Sequence, residues 1–256
     1  MSRLPKVSSR SLALFLLVTL LAAPSSFALP AKGRAQNPQR PARPFPQTQY
    51  VPSHDFDTRH VLLNLHFNWE QEQAIGTETI TLAPLVKDLG KLELDAADMT
   101  FTSVKLASGL VLKHETDANK QKLWVTLDRP YQPADELTLI IDYHTNGQSR
   151  LTGLVGGGLR FIKPSPDDPT RPKQIWSQGE SEYNHYWFPC YDHPNDFFTS
   201  EIYATVEKPL SVISNGKLLE SKDNGNGSRT FHWKIDQPHA SYLTSIVVGE
   251  YTPIVQ

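Results

Sequence analysis

Gln178 and Glu180 stand two positions apart, with Gly179 between them. In an extended segment alternate side chains leave on the same side, so an amide and a carboxylate would stand together. Such a pair suits an ammonium group: the carboxylate supplies charge and the amide oxygen a second acceptor. The glycine leaves room for a ligand or another chain to approach the backbone. A structural role competes with this one, in which Glu180 pairs with an arginine and Gln178 bonds a neighbouring loop. The residues alone leave both roles open.

The pair sits in a dense stretch, W-S-Q-G-E-S-E-Y-N-H-Y-W-F-P-C-Y-D-H-P over residues 176–194, which holds two of the five tryptophans and the only cysteine. It also carries His185, His193, Glu182 and Asp192. His185, Asp192 and His193 could converge on a metal, although nothing in their spacing requires it. No H-E-x-x-H occurs, since His114-Glu115 is followed by Thr-Asp-Ala, and metal ligation is therefore not expected of this chain. Cys190 reads as a small buried hydrophobe; a reactive thiol would need a neighbouring base, for which His185 and His193 are the candidates. A serine nucleophile in G-x-S-x-G is absent. Glu180 and Glu182 would share a face on a strand, so paired-carboxylate or carbohydrate chemistry is compatible with the residues but has no motif. Gly156-Gly157-Gly158 lacks the G-K-[ST] ending of a phosphate loop and reads as an ordinary loop.

The elements that must position these residues read as strands. Residues 59–69 place Val61, Leu63, Leu65, Phe67 and Trp69 at a period of two. Residues 75–82 follow as a hairpin partner, then 92–95, 100–106, 111–114, 122–127 and 136–143; beyond the dense stretch come 200–206, 212–214, 229–235 and 242–248. Turn signals separate them at Ser108-Gly109, Asn146-Gly147, Asn215-Gly216 and residues 223–227. Many short strands with such punctuation indicate an all-β domain, a curved, saddle-like sheet or a β-sandwich.

The first 52 residues have a different character. Arg3, Lys6 and Arg10 precede an apolar run at 11–23, shorter than the roughly 20 residues a spanning helix needs. Ser26-Phe27-Ala28 then supplies the small residues of a cleavage site. Residues 1–28 are therefore expected to be a signal peptide, with export to a periplasmic or extracellular space and no stable membrane insertion after cleavage. Residues 29–52 carry six prolines and four basic residues without an acid, the composition of a disordered tether. Removing the three basic residues of the leader and the four of the tether leaves 18 basic against 27 acidic residues, about −9 for residues 53–256. That balance disfavours nucleic acid as a partner. A lone cysteine excludes an internal disulfide, and roughly 205 residues suffice for one core without staples.

Taken in order, the motifs resemble the N-terminal domain of the aminopeptidase N family, peptidase family M1. They are Gln178-Gly179-Glu180, Pro189-Cys190-Tyr191-Asp192-His193-Pro194, Gly158-Leu159-Arg160-Phe161, Ile213-Ser214-Asn215-Gly216, and residues 238–243 leading to Val247-Val248-Gly249-Glu250-Tyr251. At His193 many relatives carry an acid. The resemblance implies that Gln178 and Glu180 line an active-site cleft and that Glu180 helps hold the free α-amino group of a peptide substrate. It further implies that zinc belongs to a downstream catalytic domain, in cis or trans, whose G-x-M-x-N and H-E-x-x-H motifs are not in these 256 residues. The chain is then expected to bind no cofactor and to be inactive alone. The Pro189–Pro194 turn is expected to be structural, with Cys190 inward and Asp192 satisfying turn amides. The alternative is a freestanding secreted β-sandwich module that binds peptide or carbohydrate.

Overall fold

Alternation in sequence becomes alternation in burial. In β1 (Phe56–Asn68), Val61, Leu63 and Leu65 point inward while Asn64 and His66 face solvent. The same holds in β7 (Leu137–Thr145), where Leu137, Leu139, Ile141, Tyr143 and Thr145 are buried. A computed structural model of the protein describes residues 54–119, 121–147 and 157–252. The expected signal peptide and tether lie outside the described residues.

The remaining strands are β2 (Gln73–Pro84), β3 (Leu89–Asp95), β4 (Met99–Leu106), β5 (Lys113–Asp117), β6 (Lys122–Tyr131), β8 (Gly158–Ile162), β9 (Gln174–Gln178), β10 (Phe198–Glu207), β11 (Ser211–Ser214), β12 (Lys217–Asp223), β13 (Ser228–His239) and β14 (Ile246–Gly249). They form three sheets. A seven-stranded sheet runs β12-β13-β10-β1-β2-β7-β4, a four-stranded sheet β11-β14-β9-β8, and a three-stranded sheet β3-β6-β5. The fold is all-β, as expected, and one apolar cluster joins the inner faces of the sheets. Its largest fully buried side chains are Trp187, Phe188 and Phe198, two of them from the dense stretch.

One pairing in the large sheet is parallel. β1 lies beside β10 from His60↔Thr199 to His66↔Thr205, whereas its other pairings are antiparallel. Parallel neighbours need a long crossover. Here the crossover contains eight strands and the dense stretch, so residues 176–194 are delivered against the sheet just before β10 begins.

The strand expectations need four corrections. Gly158 opens β8 instead of lying in a loop. β12 went unrecognised because it is an exposed edge strand without alternation, its seven residues all facing solvent. The 111–114 segment makes only an isolated bridge at Val111, and the strand proper begins at Lys113. The last strand starts at Ile246, because Ser241–Leu243 forms a single 3-10 turn.

Leu139 and Leu218 sit on strands of the same large sheet, but Leu139 is fully buried and Leu218 is 46 % exposed. Leu139→Ala is expected to cost about 2–5 kcal/mol of unfolding free energy by deletion of core contacts and the resulting cavity. Leu218→Ala should stay within about 0.5 kcal/mol. Urea denaturation of both variants checks the assignment of faces.

Candidate functional site

β9 runs between β8 and β14, with Gln178 paired to Gly158 and Trp176 to Val247. The strand ends at Gln178, so the extended run to Glu180 that the sequence suggested stops short. Glu180 lies in the turn that follows, and strand alternation does not place its carboxylate beside the Gln178 amide. The two are tied differently: Gln178 Nε2 donates to the Glu180 backbone oxygen at 3.2 Å. Gln178 is half-buried, Gly179 buried and Glu180 exposed. Among the described residues the Glu180 carboxylate has no ion pair and no hydrogen bond, and no arginine approaches it as a structural role would need.

Gly179 is required by the fold itself. A Cβ there would meet the Tyr242 carbonyl oxygen at 2.5 Å and Asn184 Oδ1 at 2.6 Å. The close approach expected of this glycine is thus made by the protein's own backbone and by Asn184. The turn closes with Tyr183 N donating to Gly179 O at 2.9 Å.

Asn184 holds the arrangement together. It is fully buried. Its amide nitrogen donates to the Ser241 and Thr244 carbonyls, and its amide oxygen accepts from Trp187 Nε1 at 2.7 Å. Its backbone oxygen accepts from Trp187 N and Phe188 N. One residue therefore fastens the Gly179–Ser181 turn to the chain preceding β14 and to the core tryptophan. Reading the sequence for catalytic types passed over it; the available signal was a lone amide amid Tyr183, Tyr186, Trp187 and Phe188.

The rest of the dense stretch is pinned to the seven-stranded and the three-stranded sheets. The Tyr143 hydroxyl, from β7, donates to Trp187 O at 2.9 Å. Cys190 and Asp95 exchange backbone hydrogen bonds, Cys190 N to Asp95 O at 3.1 Å and Asp95 N to Cys190 O at 2.6 Å. Asp192 is 3 % exposed. It accepts from His185 N at 3.0 Å, bonds His185 Nδ1 at 2.7 Å and accepts from the Ser241 hydroxyl at 2.7 Å. Asp192 thus satisfies the amide of His185, in the 3-10 turn Asn184–Tyr186, and not, among the described residues, amides of its own Pro189–Pro194 turn as expected; its role there is structural. Cys190 is buried, and burial, reinforced by Asp192, Asp95, Glu78 and Asp196, pushes its thiol well above the usual range. It is a core residue and not a nucleophile.

A cavity of about 200 Å³ opens beside this segment, lined by Asp95, Lys122, Glu182, His185, Asp192 and His193 among others. Its charges are mutually engaged. Lys122 bridges Asp95 at 2.7 Å and Glu93 at 2.9 Å. His193 bonds Asn195 through Nδ1 and faces Glu182 through Nε2 at 3.5 Å. His185 spends its second nitrogen on Gln121 Oε1 at 3.3 Å. The His185, Asp192 and His193 set does not fit a zinc ion, because the ring nitrogens are already directed at side chains. Among the described residues no group of three His, Cys, Asp or Glu is arranged to hold a metal.

The sequence profile of the peptidase M1 N-terminal domain matches residues 51–243. The chain belongs to this family. It is similar to leucine aminopeptidase 2 of Vanderwaltozyma polyspora, 24% identical over 199 residues, covering 77% of this chain and 29% of that protein. It is also similar to transcription initiation factor TFIID subunit 2 of Gallus gallus, 28% identical over 234 residues, covering 77% of this chain and 20% of that one. Among solved structures, an M1 zinc metallopeptidase of Deinococcus radiodurans, an E323A mutant bound to a Tyr-Ser-Ala substrate, superposes with a TM-score of 0.65 at 22% identity, over 76% of this chain and 42% of that chain. A related structure, described as a two domain M1 zinc metallopeptidase bound to L-arginine, gives 0.66. The M1 N-terminal domain here thus spans less than a third of those two curated relatives and under half of those solved chains.

The Asn184 clamp has a measurable cost. Asn184→Ala leaves two buried carbonyls and the Trp187 indole N–H without their partner, and is expected to lower unfolding free energy by about 2–4 kcal/mol. Urea denaturation followed by tryptophan emission reads this, and a loss below about 1 kcal/mol would show the clamp to be dispensable.

Proposed function

We propose that this chain is the non-catalytic N-terminal domain of an exported zinc aminopeptidase, and that Glu180, assisted by Gln178, receives the free α-amino group of the substrate. The observation that carries this reading is the Glu180 carboxylate, exposed and unpaired among the described residues, on a turn fixed by Gly179 and Asn184. A carboxylate without an internal partner on a rigid support is an acceptor ready for a cation. The ligands of two similar solved structures, a Tyr-Ser-Ala peptide in the Deinococcus radiodurans enzyme and L-arginine in the two domain M1 zinc metallopeptidase, both present a free α-amino group. Bond cleavage belongs to a second, zinc-bearing domain, in cis or trans; the residues of this chain supply recognition alone.

Such a receptor sets the register of cutting. A peptide that enters by its N-terminus pairs its ammonium with Glu180, and an internal segment brings no cation. Once a second domain covers the turn and water is displaced, leaving a carboxylate unpaired costs about 2–5 kcal/mol. That penalty separates ends from interiors without reading side chains. Export rests on the basic, apolar and small-residue pattern of residues 1–28.

A second reading, a binding module without a catalytic partner, draws support from the similarity to a transcription initiation factor subunit, a protein not named as a peptidase. The two readings separate on kinetics. In the protein joined to an M1 catalytic domain, Glu180→Ala is expected to lower kcat/KM for unblocked aminoacyl-anilides by roughly 30- to 4,000-fold, with an unchanged melting temperature. The purified chain alone, incubated with zinc and the same substrates, should show no turnover. A sharp fall in melting temperature with unaltered kinetics per folded molecule would make Glu180 a structural residue and sink the amine-receptor reading.

A further inference from the structure

Glu78 stands in the middle of β2 with its side chain on the inner face of the seven-stranded sheet. It is fully buried. Its partners in register are Leu63 of β1 and Ile141 of β7, both themselves fully buried. Neither carboxyl oxygen has a hydrogen-bonding partner among the described residues. This contrasts with Asp192 nearby, which satisfies both oxygens. The titratable groups that face Glu78 are Tyr143 from β7 and Cys190 from the dense stretch; a charge at Glu78 acts on both. Both are held protonated at neutral pH, chiefly by burial. Asp95, Asp192 and Asp196 surround the Cys190 side of the same region, so further negative charge is unwelcome there. Among the described residues no cation offsets the burial of Glu78, which pushes its carboxyl well above the usual carboxylate range.

Position gives this residue its significance. Tyr143 is the group that pins Trp187 O to the sheet, and Cys190 is the group that pins the stretch to Asp95. Glu78 lies diagonally across the β2–β7 register from Tyr143, on the same buried face, and its charge reaches Cys190. We propose that Glu78 is a proton-dependent latch: the 187–190 segment stays seated on the sheet while this carboxyl is neutral and is released as it ionises. Through Asn184 the same segment holds the Gly179–Ser181 turn, so release would slacken the mounting of Gln178 and Glu180. That consequence rests on the amine-receptor reading; the latch does not.

The sign follows from proton counting. A seated form with neutral Glu78 binds one proton more than an opened form in which water reaches the carboxylate. The opened population therefore rises with pH, tenfold per unit, from the ordinary value near 4.5 until the seated form itself ionises. Amide hydrogen exchange at Trp187 and Cys190, followed by NMR in the full chain at several pH values from about 5.5 to 8, reads the opening. Dividing wild-type rates by those of Glu78→Gln removes the intrinsic base catalysis of exchange. The expected result is a ratio that climbs tenfold per pH unit at these two amides, with their opening at least tenfold more populated than that of the slowest amides of β1 and β10, which exchange through global unfolding and share the slope because unfolding also exposes Glu78. A ratio that is flat at Trp187 and Cys190, or opening there no more populated than at the slowest amides of β1 and β10, overturns the latch. Glu78→Met, of similar volume and without a polar group, provides the same comparison should the glutamine variant not fold. No peptide ligand enters the measurement, so the latch and the amine receptor fail separately.

Discussion

The buried amide of Asn184 is the interaction on which the turn after β9 depends. A primary amide inside an apolar core is costly unless its donors and acceptor are engaged. Asn184 engages them with two carbonyls from the chain before β14 and the indole of Trp187. Those partners come from segments about 60 residues apart in sequence, so the amide works as a specific tie between them. An apolar residue of equal volume would fill the space and leave three polar groups unpaired. Specificity of this kind keeps the Gly179–Ser181 turn in one conformation, because Gly179 is pressed directly against the same asparagine and the Tyr242 carbonyl.

Much of the fold was legible in the sequence where one face of a strand meets the core and the other meets water. β7 and β10 keep a period of two in burial along their length, and β1 does so from Val61 to Leu65. The pattern fails where that physical condition fails. β12 has no buried face and β8 and β9 are five residues each, too short for a period to register. The parallel pairing of β1 with β10 was invisible for a different reason: it is a relation across more than 120 residues, and alternation describes a strand without naming its neighbour. The ordered family motifs carried information that periodicity could not.

The residue types of Gln178 and Glu180 are legible in the sequence; their local geometry is not. Gln178 and Glu180 were singled out on an extended-strand premise, but the strand gives way to a turn at Gly179. The glycine did mark a close backbone approach, made by Tyr242 and Asn184 in place of a ligand or another chain. The histidines and carboxylates that suggested a metal are consumed by one another: His185 by Asp192 and Gln121, His193 by Asn195 and Glu182. A sequence shows which residues could serve as ligands; only the fold shows which are already partnered.

That accounting separates two kinds of acid in one short region. Asp192 and Asp95 are held by hydrogen bonds and by Lys122, and their charge is spent inside the domain. Among the described residues the exposed Glu180 carboxylate is left without a partner. A recognition carboxylate must be unpaired before its ligand arrives, since any internal partner would have to be displaced at a cost comparable to the binding gained. It must also be immobile, or ordering it would consume that gain. On the proposed reading, the Asn184 tie holds the backbone turn that bears Glu180 and leaves the carboxylate itself unpaired among the described residues. Among those residues the clustering of polar side chains is structural nearly throughout, with the Glu180 carboxylate at its edge.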